Sequence, residues 1–173
     1  PYYGLGMRSI SEDPNQFAWV ETTHSNPHGR SASIFEVLTL KQPGGGSVLV
    51  NLDDEEPILF PTLAEKPSLN RLRIDTFDGS HRLTINPLGD GPVRIFGISM
   101  ERTGTGAIID AIGIRGRTFR TWKYWDQELF ADAINALDPN IVVLAYGTNE
   151  ASDPDYSMEQ YREELRSSLR ILH

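Results

Sequence analysis

Two positions have residue types and surroundings suited to chemistry. Asn149 stands in Gly147-Thr148-Asn149-Glu150, directly after the apolar run Ile141–Tyr146. A carboxamide offers two N–H donors. A neutral donor at a strand end can hold the oxyanion of a tetrahedral intermediate, where one donor contributes ~10²–10³ in rate. An Asn in that place also has an ordinary use, capping the next helix or tying down the loop. Gly116 stands in Gly113-Ile114-Arg115-Gly116-Arg117-Thr118, directly after the apolar run Ala107–Ile114. With no Cβ, its backbone N–H can come close to a substrate, or the residue can simply serve a tight turn. Each position alone fits the ordinary use. Together, at the ends of two successive strands, they put a main-chain amide and a carboxamide over one spot. Thr148 and Glu150 are expected to brace that loop.

The elements that must position these groups follow from periodicity. After Met100 the pattern is strand, helix, strand, helix: Ala107–Ile114, Trp122–Leu137, Ile141–Tyr146 and Ser157–Leu172. In the first helix Trp125, Leu129, Ala133, Ile134 and Leu137 recur at spacings of three and four, and Pro139 ends it. In the second, Met158, Tyr161, Leu165, Leu169 and Leu172 share a face, with Ser157 and Gln160 as a capping box. This alternation predicts a parallel sheet with crossover helices, where ligands sit at the carboxyl ends of the strands. From Phe17 to Met100 the runs are short and β-like. They are Ser33–Leu40, Ser47–Leu52 after Pro43-Gly44-Gly45-Gly46, Asn70–Phe77, His81–Ile85 and Gly91–Ser99. Asp78-Gly79-Ser80 reads as a hairpin turn between the third and fourth of these. Such spacing predicts a β-sandwich or jelly roll.

Other candidates weigh less. Asp78-Gly79-Ser80-His81 holds three residue types of a hydrolytic triad. Its turn chemistry favours structure, and adjacent Ser and His project to opposite faces of a strand. Ser99 lies between apolar runs without a Gly-Asp context. His24 and His28 share a polar loop with no carboxylate or thiol at ligand spacing, which favours solvation over a metal. Gly104-x-Gly106 is followed by Ile109 where a dinucleotide loop needs its third glycine. Asp53-Asp54-Glu55-Glu56 is a solvated turn or a contribution to a Ca²⁺ site, the former being commoner. Tyr2, Tyr3, Phe17 and Trp19 either pack the sandwich core, the favoured expectation, or stack on sugar rings. Trp122, Tyr124 and Trp125 are expected to pack the seam between the two parts.

Composition bounds the partners. The 173 residues are 39% hydrophobic and 23% charged, an ordinary globular balance. The formal net charge of -8 argues against nucleic acid and anionic membrane faces. No apolar run approaches the ~20 residues that cross a bilayer. With no cysteine, disulfides and thiolate metal sites are ruled out. No cofactor is expected. The first residue is Pro1, which suggests a processed or excised piece.

"IGIRGRT" followed by "VVLAYGTNEA" resembles blocks II and III of the SGNH (GDSL-like) hydrolases, from about Gly104 onward. More narrowly, a β-rich segment leading through "VRIFGISMERTGTGAIIDAIGIRG" resembles the Gram-negative peptidoglycan O-acetylesterases. In those a carbohydrate-binding-module-like sandwich is inserted into the SGNH fold. The resemblance implies a β-sandwich over residues 1–100. Part of a flavodoxin-like three-layer α/β/α domain would follow over 101–173. It also implies a serine esterase acting on an acetylated glycan in the periplasm or outside the cell. A serine attacks the ester, a histidine takes its proton and an aspartate orients the histidine. Gly116 and Asn149 match two members of the family's oxyanion hole. The nucleophile's Gly-Asp-Ser is absent, and no Asp-x-x-His follows Asn149. The implied positions of these blocks are before Pro1 and after His173, which makes the chain inactive alone. Two alternatives stay open. One is a non-catalytic carbohydrate-binding module with a degenerate α/β part. The other is a partner chain that supplies the missing strands.

Overall fold

The computed structural model describes residues 9–26 and 28–172. Tyr2 and Tyr3 lie outside them. The chain divides between Ile109 and Asp110 into two compact units.

The first unit is a sandwich of two four-stranded antiparallel sheets. One has the order β1-β8-β3-β6 and the other β2-β7-β4-β5. The strands are β1 Ser9–Ser11, β2 Ala18–Glu21, β3 Ala32–Lys41, β4 Ser47–Leu52, β5 Ile58–Pro61, β6 Ser68–Gly79, β7 Arg82–Pro87 and β8 Val93–Glu101. β4 shows why its residues form this element. Val48, Val50 and Leu52 point inward and are buried, while Ser47, Leu49 and Asn51 alternate with them on the other face. β3 is buried almost throughout because it is central, flanked by β8 and β6, and Ser33, Glu36 and Thr39 are buried along with its apolar residues. Phe35, Val37, Val48, Val50, Leu83 and Ile85 form the middle of the core. Each aliphatic side chain so buried stabilises the fold by about 1.5–3 kcal/mol relative to exposure. β5 carries Pro61 without penalty because it lies at a sheet edge.

The turn at 78–80 is not a hairpin. β6 pairs with β3 in one sheet, whereas β7 pairs with β2 and β4 in the other. Asp78-Gly79-Ser80 therefore bends the chain across the core. The same chemistry serves a hairpin and an inter-sheet corner, so local residues do not separate them.

The second unit contains helices and, among its described residues, no strand. Residues 107–114 and 141–146 join no ladder. The α/β layer expected from the strand-helix alternation is thus not formed. The cause is visible in the burial. Leu144 and Tyr146 pack on the helices, but Ile141 and Val143 are each 81% exposed. Parallel strands persist when both faces are covered and a neighbour takes their hydrogen bonds. Here only one face of 141–146 is covered. The helices α1 (Gln127–Leu137), α2 (Thr148–Ala151) and α3 (Met158–Ile171) follow a 3-10 turn at Phe119–Tyr124. The predicted helix start at Trp122 is displaced to Gln127, because the Asp126 carboxylate caps it by accepting from Leu129 N at 3.1 Å. Asp138, left-handed at φ 46°, ends it before Pro139. The Ser157–Gln160 capping box of α3 forms in both directions, at 2.8 and 3.2 Å. The buried stripe of α3 is rotated from expectation. Tyr161, Leu165 and Leu172 pack inward and Ser168 is buried, while Met158 and Leu169 are exposed. Trp122 is buried against Phe119 and Phe130 inside this unit, Trp125 packs beside it, and Tyr124 is exposed.

Candidate functional site

The site assembles from two loops of the helical unit. Gly116 takes a left-handed conformation, φ 72°, which a residue with a Cβ adopts at a cost. It turns the chain away from the 107–114 run toward the 3-10 turn. Gly147, at φ 116°, does the same ahead of α2. The Asn149 side chain then donates from Nδ2 to the Arg117 carbonyl at 2.8 Å, across 32 residues of sequence. Gly116 is the neighbour of that carbonyl. One N–H of the amide is committed to the loop, and the carboxamide has a second to offer a ligand.

Glu150 holds the same two loops from beneath. It is buried, its Oε1 accepts from Phe119 N at 2.9 Å, and its Oε2 accepts from Gly147 N at 3.0 Å. A carboxylate so used satisfies two buried backbone donors that no helix or sheet would pair. Aromatic packing tightens the junction. Phe119 stacks on Tyr146 at 4.2 Å, and Trp122 Nε1 donates to the Tyr146 hydroxyl at 2.9 Å. Thr148 contributes through its backbone, whose carbonyl accepts from Ser152 Oγ at 2.9 Å. The hollow of about 340 Å³ between α1 and α3 is lined by Gln127, Glu128, Ala131, Ser167, Arg170 and Ile171, away from this junction.

The Asp78–His81 segment is structural. Asp78 pairs with Arg102 and not with His81, and that pairing depresses its carboxyl below the usual range. The His81 side chain is fully buried. Its Nδ1 meets Asp53 Oδ2 at 2.7 Å, and its Nε2 meets the Phe77 carbonyl at 2.8 Å. Both partners are acceptors, so both ring nitrogens donate when the ring is an imidazolium. Burial pushes the His81 pKa down, but the hydrogen bonds to Asp53 and Phe77 outweigh it, and the net direction is up. Ser80 Oγ pairs with Thr22 Oγ1 at 2.9 Å and does not reach the ring. Asp53 is thus no free member of an acidic turn. At φ 52° it bridges His81 and, through Oδ1, accepts from Arg82 N at 2.7 Å. Sequence reasoning missed this pair because 28 residues separate its members.

Remaining candidates stay apart. His24 and His28 are exposed. Among the described residues no group of three or more His, Asp or Glu side chains is gathered for a metal. Gly104 and Gly106 precede a segment with no regular secondary structure and not a helix, so no helix terminus is there to take a phosphate. Phe17 and Trp19, expected in the core, are 60% and 47% exposed, because Val20 is the residue of that stretch that faces inward.

No protein-family model matches the sequence, and no curated protein matches it. Among solved structures there are distant likenesses. A family two carbohydrate esterase from Cellvibrio japonicus is 17% identical, with a TM-score of 0.35 over 56% of this chain and 35% of that one. The EclA C-terminal domain, a sugar-binding protein, is 10% identical, with a TM-score of 0.33 over 55% of this chain and 77% of that one. A Corynascus (Myceliophthora fergusii) carbohydrate esterase family 2 enzyme with a carbohydrate-binding domain is 14% identical, with a TM-score of 0.27 over 54% and 33%. The chain spans about a third of the length of each esterase.

Proposed function

We propose that this chain is part of an SGNH-type serine esterase that removes O-acetyl groups from a carbohydrate such as peptidoglycan, outside the cytoplasm. In this reading Gly116 and Asn149 supply two oxyanion donors. The serine, histidine and aspartate come from residues outside the 173. The serine Oγ adds to the acetyl carbonyl carbon while the histidine takes its proton, and negative charge moves to the carbonyl oxygen. The Gly116 N–H and the second Asn149 N–H would hold that oxygen. Collapse breaks the bond to the sugar oxygen, which takes the proton from the histidine and leaves as a hydroxyl. Water then repeats the sequence on the acyl-enzyme and releases acetate.

The observation that supports the reading is the bond from Asn149 Nδ2 to the Arg117 carbonyl. It holds a carboxamide beside the glycine that the same chemistry needs. Asn149→Ala, made in the protein together with its nucleophile and base, is expected to lower kcat on an acetyl ester by ~10²-fold or more with the fold retained. Initial-rate kinetics with circular dichroism measure both. A folded variant with unchanged kcat would overturn the assignment.

A further inference from the structure

His81 is tied to a break in a β-ladder. Along β3 and β6, Ala32 faces Gly79 and Ile34 faces Asp75, so Thr76, Phe77 and Asp78 stand opposite Ser33 alone. Such a bulge leaves backbone groups outside the ladder. The Phe77 carbonyl is one of them, and it meets His81 Nε2 at 2.8 Å. The bulge is also joined to the place where the chain leaves the sandwich after β8. Arg102 Nε donates to Asp78 Oδ1 at 2.9 Å, and Thr103 N donates to Ser33 Oγ at 2.8 Å.

The other side of the ring is held by more bonds. Nδ1 meets Asp53 Oδ2 at 2.7 Å, Asp53 N donates to the Arg82 carbonyl at 2.8 Å, and Arg82 N donates back to Asp53 Oδ1. His81 N donates to Thr22 Oγ1 at 3.1 Å. The ionisable groups facing the ring are all acids, Asp53 and Glu55 from the turn after β4 and Asp78 from β6. From β3 the ring meets the edge of Phe35. Arg82 of β7 pairs instead with Glu21 of β2 and lies over Trp19. One proton therefore decides between the two sides. As an imidazolium the ring donates to both acceptors. A neutral ring keeps one N–H. The carboxylate is the stronger acceptor, so the proton stays on Nδ1, and the Nε2 lone pair then faces the Phe77 carbonyl with no hydrogen between them. Those two acceptors repel, and the carbonyl loses its partner. Phe77 is 71% exposed, so the bulge can move outward without opening the core.

We propose that His81 is a one-sided proton switch: loss of its proton frees the bulge at Thr76–Asp78, and with it Arg102 and Thr103 where the chain leaves the sandwich, while the Asp53 side stays closed. Neither Gly116 nor Asn149 takes part, so the switch stands if the esterase reading falls.

The test is NMR of the 173-residue chain across the His81 titration. The ring-nitrogen shifts report the tautomer, the Phe77 carbonyl carbon reports its hydrogen bond, and amide exchange corrected for the intrinsic effect of pH reports opening. Above the transition the neutral ring is expected as the Nδ1–H tautomer, with the Phe77 carbonyl released. Protection at Thr103 is expected to fall ~10-fold or more relative to Arg82 on the closed side, the measure of one lost charge-assisted hydrogen bond. Asp53→Asn should abolish the response, because its amide donates to Nδ1 and lets the neutral ring keep Nε2–H on Phe77. His24→Gln, in an exposed loop, should retain it. Circular dichroism checks that each variant is folded, and the tautomer of the unsubstituted chain decides the matter if Asp53→Asn is not. A neutral ring carrying its proton on Nε2 would overturn the proposal. So would equal loss of protection at Thr103 and Arg82, a response that survives in folded Asp53→Asn, or one that vanishes in His24→Gln.

Discussion

His81 and Glu150 are buried ionisable side chains used as clamps. His81 makes its two ring bonds to Asp53 and the Phe77 carbonyl only as an imidazolium, and its folded pKa lies above the ordinary 6.5. A raised folded pKa means that its contribution is fully present below pH 6.5. That contribution is lost as pH rises through the folded value. Thermal unfolding of the chain from pH 5.5 to pH 9 is expected to show a falling midpoint across that window. Asp53→Asn should flatten the profile by removing the anion that holds the charged ring; parallel profiles for the two proteins would contradict this account. Glu150 is a second case. Glu150→Gln leaves one oxygen for two backbone donors and turns an NH₂ toward the other, at a cost of about 1–3 kcal/mol. Faster amide exchange at Gly147 and Phe119 would report it locally, and unaltered exchange would argue against the clamp.

At the scale of elements, the sandwich strands and the two apolar runs of the second part behave differently. Ser47–Leu52 is a strand in the structure as its alternation predicts, and α3 begins at its capping box. In both, the signal is local: side-chain alternation in one, two reciprocal hydrogen bonds in the other. Residues 107–114 and 141–146 carry equally clear strand composition and join no ladder. A strand needs a neighbour, and composition does not supply one. Ile108, Ile109, Ile112, Ile141, Val142 and Val143 are all exposed as a result. Exposed contiguous apolar surface favours association with other chains. The isolated chain is therefore expected to self-associate, with sedimentation velocity showing species larger than 19.4 kDa. A single well-behaved monomer at tens of micromolar would contradict that expectation.

At the scale of the molecule, the two units keep their own cores. The sandwich core draws on β3, β4, β5, β7 and β8, and the aromatic cluster on Phe119, Trp122 and Phe130. The candidate oxyanion groups belong entirely to the second and the His81–Asp53 pair entirely to the first. A piece spanning residues 8–109 is accordingly expected to unfold cooperatively by itself, with β-type circular dichroism and the pH dependence of His81 intact. Loss of a cooperative transition in that piece would mean that its core is incomplete.

The sequence by itself determined the β-rich first part, the helical periods of the second, and the positions of Gly116 and Asn149 after apolar runs. These follow from side-chain alternation, helical spacing and residue chemistry, all of which are local. Only the tertiary structure decided that 78–80 crosses between sheets, that Asp53 holds His81, that Trp19 faces water and that 107–114 and 141–146 go unpaired. Each of these depends on which distant residues become neighbours, and one local pattern is compatible with several such arrangements.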